Sequence, residues 1–259
     1  MIGQIVSRYR IVERLGVGGM GEVYRAEDPL LKRLVALKFP LTREQSLQHA
    51  SRFLDEARAA SRLDHPNIAH VYDFGQASDG RPFIVMEYVD GDGLDALIRD
   101  GSLSPARTVA LIDEVLKALG EAHKSSMVHR DIKPGNIRLN RRGQVKVLDF
   151  GLAKQLSRAE LLEPTGSSTI TLPPDQTVPG VVLGTPRYMS PEQARALPID
   201  GRSDLFSVGS VMYECLTGQA PFLGRSAREV MDAVIGSEPP PPTALVPDLP
   251  SRFDAIVAK

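Results

Sequence analysis

This chain contains the segment His129-Arg130-Asp131-Ile132-Lys133-Pro134-Gly135-Asn136 and, shortly after it, Asp149-Phe150-Gly151. We predict that the two segments belong to one short β-hairpin. Together they supply a carboxylate, an ammonium group, an amide and a second carboxylate. Either segment alone would carry little information, because an aspartate after a strand is usually part of a turn. In this order and at this spacing they favour phosphoryl transfer from ATP, which needs a proton acceptor, a cation and magnesium ligands.

Length and composition limit the class of protein. A chain of 259 residues can bury a large core, as one domain or as two lobes. Its 31 lysines and arginines balance 32 aspartates and glutamates, so we expect no nucleic acid as a partner. The single cysteine, Cys215, lies in an apolar run and is interpreted as a buried small residue in a reducing compartment.

The sequence shows no membrane or export signal. No apolar stretch approaches the roughly 18 residues that span a bilayer, the N-terminus has no signal-peptide pattern, and Ile2 stands where myristoylation needs glycine. We expect a cytoplasmic segment without membrane contact of its own. The same segment could serve as the cytoplasmic domain of a longer, membrane-anchored protein.

The hydrophobic patterns divide the chain into two parts. Alternating, β-branched runs predict strands at 9–12, 23–26, 34–37, 69–72 and 83–86, and one helix is predicted at roughly 44–63. From residue 93 onward helical patterns dominate, at 94–100, 104–124, 204–216 and 227–236. Ser104-Pro105 predicts the start of the second of these helices, with the serine as its cap and the proline in its first turn. The four prolines at 239–242 predict an extended surface connector.

A glycine-rich segment lies near the N-terminus and consists of Gly16, Val17, Gly18, Gly19, Met20 and Gly21. A dinucleotide-binding turn would continue as a helix. Here Glu22-Val23 continues as a strand, so the glycines are predicted to form a β-hairpin flap. Without side chains, such a flap can bring backbone N–H groups close to phosphate oxygens. A merely structural glycine turn is the weaker alternative.

A lysine lies within the apolar strand Val35-Ala36-Leu37-Lys38. A buried lysine is costly unless it is paired, whereas a lysine on an edge strand could extend outward to solvent. Glu56 decides between the two, because it shares a predicted helix face with Phe53, Ala60 and Leu63. We therefore predict that Glu56 holds Lys38 and that Lys38 holds the α- and β-phosphates.

With these motifs in order, the chain resembles the bacterial branch of the eukaryotic-like (Hanks-type) serine/threonine protein kinases. The resemblance runs from about Tyr9 to the end and includes Ser190-Pro191-Glu192 in place of the usual Ala-Pro-Glu. It implies a bilobal α+β fold with an antiparallel-sheet N-lobe carrying one helix, at about 9–88, and a mainly helical C-lobe, at about 89–259. The cofactors it implies are ATP and Mg²⁺.

The resemblance also implies roles for individual residues. Asp131 would accept or orient the substrate hydroxyl proton, and Lys133 would stabilise charge on the γ-phosphate. Asn136 and Asp149 would ligate magnesium, and Thr185 would bond to Asp131 and Lys133. At the adenine, Glu87 and Val89 would offer backbone groups, Met86 would be the gatekeeper, and Val23 and Ala36 would form the ceiling. The partners implied are protein substrates with serine or threonine acceptors, and a transient kinase–kinase dimer for autophosphorylation.

Two other classes of function stay open at this point. A catalytically silent pseudokinase is disfavoured, because Lys38, Asp131, Asn136 and Asp149 are all present. A small-molecule phosphotransferase of similar fold is disfavoured by Gly184-Thr185-Pro186 and by the segment at 190–192, which in the family build a loop for a peptide substrate.

The sequence departs from the family pattern at two places. Arg138 stands where an apolar residue usually forms the floor under adenine, so either its stem packs under the base or a neighbour, Ile137 or Leu139, takes over. The chain also ends at Lys259, about two helices early for the family. The domain is therefore expected to be truncated, with Glu192 lacking its usual arginine partner.

The long segment from Asp149 to Glu192 contains many hydroxyl side chains: Ser157, Thr165, Ser167, Ser168, Thr169, Thr171 and Thr177. One interpretation is a disordered loop of ordinary polar composition. The favoured interpretation is an activation loop that is switched by autophosphorylation, because an arginine at position 130 can pair with a phosphate from that loop.

Overall fold

The computed structural model describes residues 1–18, 21–40, 47–150 and 186–258, without the side chains of residues 47–52 and 56. The described residues form two compact units. The first contains residues 1–18, 21–40, 47–59 and 71–88, and the second contains residues 60–70, 89–150 and 186–258.

A six-stranded sheet with antiparallel pairing throughout forms the first unit, in the order β1-β2-β3-β4-β6-β5. Its strands are β1 (Ile5–Val6), β2 (Tyr9–Gly18), β3 (Gly21–Asp28), β4 (Arg33–Phe39), β5 (Val71–Gln76) and β6 (Pro82–Glu87). The antiparallel sheet predicted for this part of the chain is thereby confirmed. One predicted strand is displaced, since residues 69–70 precede β5 rather than beginning it.

The central strand β4 is buried on both of its faces, which explains its nearly continuous apolar sequence. Because side chains alternate along a strand, Val35, Leu37 and Phe39 pack into one cluster with the aromatic rings of Tyr24 and Phe83. The opposite face carries Ala36 and Lys38, and Ala36 packs there against α1. β4 lies between β3 and β6, so the alternative of a lysine on an edge strand is wrong.

Helix α1 (Leu47–Ala60) covers that second face of the sheet. Phe53 and Ala57, one turn apart, contact Ala36, Ile84 and Met86. The predicted helix at 44–63 is present but ends at Ala60, where a turn begins. Residues 44–46 lie outside the described part of the chain.

The second unit is mainly helical, as predicted from residue 93 onward. Its helices are α2 (Leu94–Arg99), α3 (Pro105–Lys124), α4 (Pro191–Ala194), α5 (Gly201–Thr217), α6 (Ala227–Gly236), α7 (Pro242–Leu245) and α8 (Arg252–Val257), and a two-stranded hairpin joins β7 (Ile137–Leu139) to β8 (Val145–Val147). The predicted proline connector is shorter than expected, because Pro242 already occupies the first position of α7.

Helices α3 and α5 form the core of this unit. Leu111, Val115 and Leu119 of α3 lie in one buried cluster with Val211 and Cys215 of α5. Ser104 begins α3 as its N-cap, accepting a hydrogen bond from the Arg107 N–H, and Pro105 occupies the first turn, as predicted. Gly218 ends α5 in the left-handed conformation, with φ of 73°.

Cys215 belongs to this core, as its apolar neighbours predicted. Burial raises the pKa of its thiol to about 12, and the carboxylate of Glu214 adds to the rise. The thiol therefore stays neutral and packs as a small apolar side chain. Among the helices in the described part of the chain, none combines the length and apolar character needed to cross a membrane.

Substitutions of two glycines in β2 and β3 test how much each glycine contributes to the stability of the fold. Gly21 has φ of +134°, and a Cβ at this position would overlap the carbonyl oxygen of Phe39. We predict that Gly21→Ala lowers the free energy of unfolding by about 2 kcal/mol or more, because it adds backbone strain and a clash. The control is Gly16→Ala, whose added methyl meets no atom within 4 Å. Urea denaturation measures both, and equal stabilities for the two variants would contradict the prediction.

Candidate active site

The segment from His129 to Asn136 is anchored by buried side chains, among them those of His129 and Ile132. His129 is fully buried, and Ile132 is 1% exposed. The His129 ring accepts the Asp131 N–H at Nδ1 (3.2 Å) and donates from Nε2 to the Leu148 carbonyl (2.7 Å). This pair of bonds sets a neutral ring with its proton on Nε2. The ring also packs edge-on against Phe150, with centroids 4.6 Å apart.

Three of the predicted catalytic side chains meet at one oxygen. Lys133 Nζ lies 2.8 Å from Asp131 Oδ2, and Asn136 Nδ2 donates to the same oxygen at 2.8 Å. Asn136 Nδ2 also donates to the Asp131 carbonyl at 2.8 Å. The Asp131 and Lys133 side chains stay about one quarter exposed, at 26% and 27%. This carboxylate is therefore held in one orientation while it stays accessible to a substrate.

The two predicted metal ligands lie at the same end of the β7–β8 hairpin. The Leu148 N–H donates to the Asn136 carbonyl at 2.8 Å, which extends the pairing by one residue beyond Ile137 and Val147, and Asp149 is the next residue along the chain. Asp149 has left-handed backbone, with φ of 62°, a conformation uncommon for residues other than glycine. This conformation changes the direction of the main chain just after β8.

The donor set fits magnesium. The Asn136 amide nitrogen is bonded to Asp131, which leaves the amide oxygen as its available donor. Asp149 supplies a carboxylate. One amide oxygen and one carboxylate suit magnesium, which in nucleotide sites is usually bound by one or two protein oxygens together with phosphate oxygens and water.

Asp204 is a functional residue that the sequence analysis missed. It is 1% exposed, lies in the first turn of α5, and accepts the N–H groups of His129 (2.8 Å) and Arg130 (2.7 Å). The His123 ring nitrogen lies 2.8 Å from the same carboxylate. In the sequence, Asp204 is an aspartate in the first turn of a predicted helix. Acidic residues are common there because they interact favourably with the helix dipole, so its bonds to residues 129 and 130 could not be predicted.

On the first unit, three of the residues predicted to contact nucleotide, Val23, Ala36 and Lys38, lie on one face of the sheet. Ala36 and Lys38 are two residues apart in β4 and therefore lie on the same face of the sheet. Val23 is the cross-strand neighbour of Lys38 and packs against the cluster that contains Ala36. Lys38 is 2% exposed. Glu87 ends β6, opposite Val35. Val89, in the second unit, is buried.

The glycine-rich segment forms the predicted hairpin rather than a strand-to-helix turn. Gly16, Val17 and Gly18 at the end of β2 pair with Val23, Glu22 and Gly21 of β3. Gly19, Met20 and Thr185 lie outside the described residues, as does the side chain of Glu56. The predicted pair between Lys38 and Glu56, and the role of Thr185, therefore stay predictions.

The structure shows where Arg138 and its two neighbours, the candidates for the floor under adenine, place their side chains. Its neighbours Ile137 and Leu139 point into the core cluster of the second unit and are buried there. Arg138, on the other face of β7, is partly exposed, and its guanidinium donates to the Gly91 carbonyl. The neighbours are therefore committed to the core, and the Arg138 stem remains on the outer face.

Glu192 is hydrogen-bonded to a residue other than the arginine that is usual in the family. The Ser203 hydroxyl of α5 donates to its carboxylate. Burial tends to raise the pKa of this carboxyl, but the hydrogen bond from Ser203, with others from its own N–H and from Ser190, holds the pKa below its usual value. A neutral hydroxyl group thus stabilises the ionised form of the Glu192 carboxyl.

Comparisons with known proteins agree with this geometry. The sequence profile described as the protein kinase domain matches residues 9–240. The serine/threonine-protein kinase pkn3 of Myxococcus xanthus is 44% identical over 250 residues, which is 94% of this chain and 44% of that protein. The serine/threonine-protein kinase PknB of Mycolicibacterium smegmatis is 41% identical over 260 residues, covering 98% of this chain and 39% of that protein.

Solved structures give the same result. The crystal structure of the Mycobacterium tuberculosis PknI kinase domain superposes with a TM-score of 0.73 at 27% identity, covering 100% of this chain and 89% of that one. The chain spans less than half the length of the curated relatives named above. On the profile match and these identities, the chain belongs to the protein kinase family, in its bacterial serine/threonine branch.

Proposed function

We propose that this chain transfers the γ-phosphate of Mg-ATP to serine or threonine hydroxyls of proteins. The observation that carries the proposal is the Asp131 carboxylate, which Lys133 and Asn136 hold at 2.8 Å while it stays accessible. An oriented carboxylate beside an ammonium group is the minimum that an incoming hydroxyl and a transferring phosphoryl group require.

Each group has a separate task in this proposal. Asp131 accepts or orients the hydroxyl proton, and Lys133 stabilises negative charge on the transferring group. Asn136 and Asp149 hold magnesium, which neutralises charge on the phosphate oxygens when it is bound. Such sites act by positioning and electrostatics, and each group contributes a few kcal/mol of barrier lowering, on the order of 10²–10³ in rate.

The nucleotide contacts belong to the same proposal. Lys38, held by Glu56, would bind the α- and β-phosphates under the glycine hairpin of residues 16–21. Val23 and Ala36 would cover adenine, whereas Glu87 and Val89 would offer it main-chain groups. The shared face of Val23, Ala36 and Lys38 supports this assignment.

The setting of the chain is also proposed here. Its substrates would be proteins with serine or threonine acceptors, and autophosphorylation would proceed through a transient encounter of two copies. Charge balance supports the absence of nucleic acid as a partner. A cytoplasmic location is proposed because the reaction consumes ATP, either for this segment or as part of a longer anchored protein.

Comparing Asp131→Asn with Asp149→Ala separates catalysis from metal binding. With radiolabelled ATP and a generic basic protein as acceptor, both variants should lose transfer by about 10³-fold or more, because each lacks a group that acts in the transition state. Only Asp149→Ala should also lose the magnesium dependence of ATP affinity, measured by titration calorimetry. Near-normal turnover by Asp131→Asn, or an unchanged magnesium effect in Asp149→Ala, would contradict the assignments.

The activation-loop hypothesis concerns residues 151–185, which lie outside the described part of the chain. We expect autophosphorylation between residues 157 and 177, most of all at Thr169, Thr171 or Thr177. A phosphate carries about −1.5 to −2 charges and would pair with Arg130. Arg130→Ala should then keep basal transfer but lose the gain in activity on phosphorylation. Mass spectrometry after incubation with Mg-ATP, and activity before and after phosphatase treatment, decide this. Phosphate found only outside the loop would leave the segment as a disordered insert.

Arg138 provides a test of the nucleotide position. If its stem lies under adenine, Arg138→Ala should weaken ATP binding about three- to tenfold, since each buried CH₂ contributes about 0.8 kcal/mol. Arg138→Leu should bind ATP within about threefold of the wild type, because it restores an apolar floor. The matched control is Arg141→Ala, at the turn of the same hairpin, where the arginine is 80% exposed and paired with Asp90. Wild-type affinity in Arg138→Ala would show that the base lies elsewhere.

A further inference from the structure

The carboxamide of Gln193 joins two separate segments of the second unit. Its Nε2 donates to the main-chain carbonyl of Arg130 at 2.8 Å. Its Oε1 accepts the N–H of Ser190 at 2.9 Å, while the Ser190 hydroxyl accepts the N–H of Gln193. One side chain thus completes the N-terminal cap of α4 and reaches the residue immediately before Asp131.

Arg130 is the residue whose conformation most needs such support. Its φ is 71°, in the left-handed region that side chains other than glycine rarely adopt. A strained residue of this kind persists only where its surroundings hold it. Here both main-chain polar groups are held: Asp204 accepts the N–H at 2.7 Å, and Gln193 donates to the carbonyl.

The chemistry of the amide explains why glutamine occupies this position. The third residue of a helix in a capping box can be glutamate or glutamine, and a helix N-terminus on its own favours the negatively charged glutamate. A glutamate could accept the Ser190 N–H, but it could not donate to the Arg130 carbonyl. Glutamine alone satisfies both segments.

We propose that Gln193 is a positioning residue for phosphoryl transfer, which holds the Arg130 peptide and thereby orients the Asp131 carboxylate. The inference rests on the proposed function for its catalytic consequence. It also makes the orientation of Asp131 depend on the fold of the segment 188–194, because one side chain links that segment to the catalytic loop.

The test compares Gln193→Glu with the wild-type chain. The variant keeps the acceptor for Ser190 but loses the donor to Arg130. We expect kcat for a peptide substrate to fall about tenfold, with KM for ATP within about twofold. Hydrogen–deuterium exchange of the backbone at residues 128–133 should become faster, while exchange in α3 and α5 stays the same.

A matched control is Arg195→Ala. Arg195, also in the segment that follows Ser190, donates to the Ile235 carbonyl of α6 at 3.2 Å and is exposed. Arg195→Ala therefore removes one hydrogen bond from a side chain to a main-chain carbonyl, and that bond does not involve the catalytic loop. We expect it to change neither kcat nor exchange at residues 128–133.

A second variant separates loss of the donor from the added charge. Gln193→Met keeps the volume and introduces no carboxylate, and it should also lose turnover and protection at residues 128–133. Wild-type kcat or wild-type exchange in either Gln193 variant would overturn the inference, as would an equal loss in Arg195→Ala. A wild-type chain without any transfer would contradict the proposed function alone, since exchange at residues 128–133 still reports the tether.

Discussion

The second unit depends on the buried carboxylate of Asp204. A carboxylate that is 1% exposed is tolerated only where hydrogen bonds replace its water. Asp204 receives such bonds from two consecutive main-chain N–H groups, those of His129 and Arg130, and from the ring of His123. Each hydrogen bond to a charged group contributes about 1.5–3 kcal/mol. Because Asp204 belongs to the core helix α5, these bonds fix the catalytic loop to the core of the unit.

Two residues of the candidate site have strained backbone, one in the loop that Asp204 holds and one just after β8. Arg130 and Asp149 have left-handed backbone, with φ of 71° and 62°. Strain of this kind costs about 1–3 kcal/mol at each residue and is retained where the surrounding bonds overdetermine the conformation. At Arg130 those bonds come from Asp204 and Gln193, and next to Asp149 the His129 ring is bonded to the Leu148 carbonyl. These bonds hold the main chain of the site in one arrangement, which is what electrostatic catalysis requires.

Much of this could be read from the sequence because it depends on local patterns. The apolar run that begins at Val35 predicted a strand, and Ser104-Pro105 predicted the start of α3. Both signals can be recognised in the sequence because they involve only a few neighbouring residues. The contact of Asp131 with Asn136 spans only five residues and follows from the turn between them. In contrast, the hydrogen bond from Ser203 to Glu192 was not predicted, because it joins two helices that only the fold brings together.

The sequence by itself determined the kinase motifs, the two-part organisation and the identity of the groups around Asp131. The tertiary structure alone decided which distant side chains hold them. Asp204 lies 75 residues from His129, and Gln193 lies 63 residues from Arg130. A buried polar group must find a partner wherever the fold brings one, and neither periodicity nor residue spacing records which one that is. Every residue except proline has both a main-chain N–H and a carbonyl group. The sequence therefore does not indicate that those of Arg130 are the ones bonded to Asp204 and Gln193.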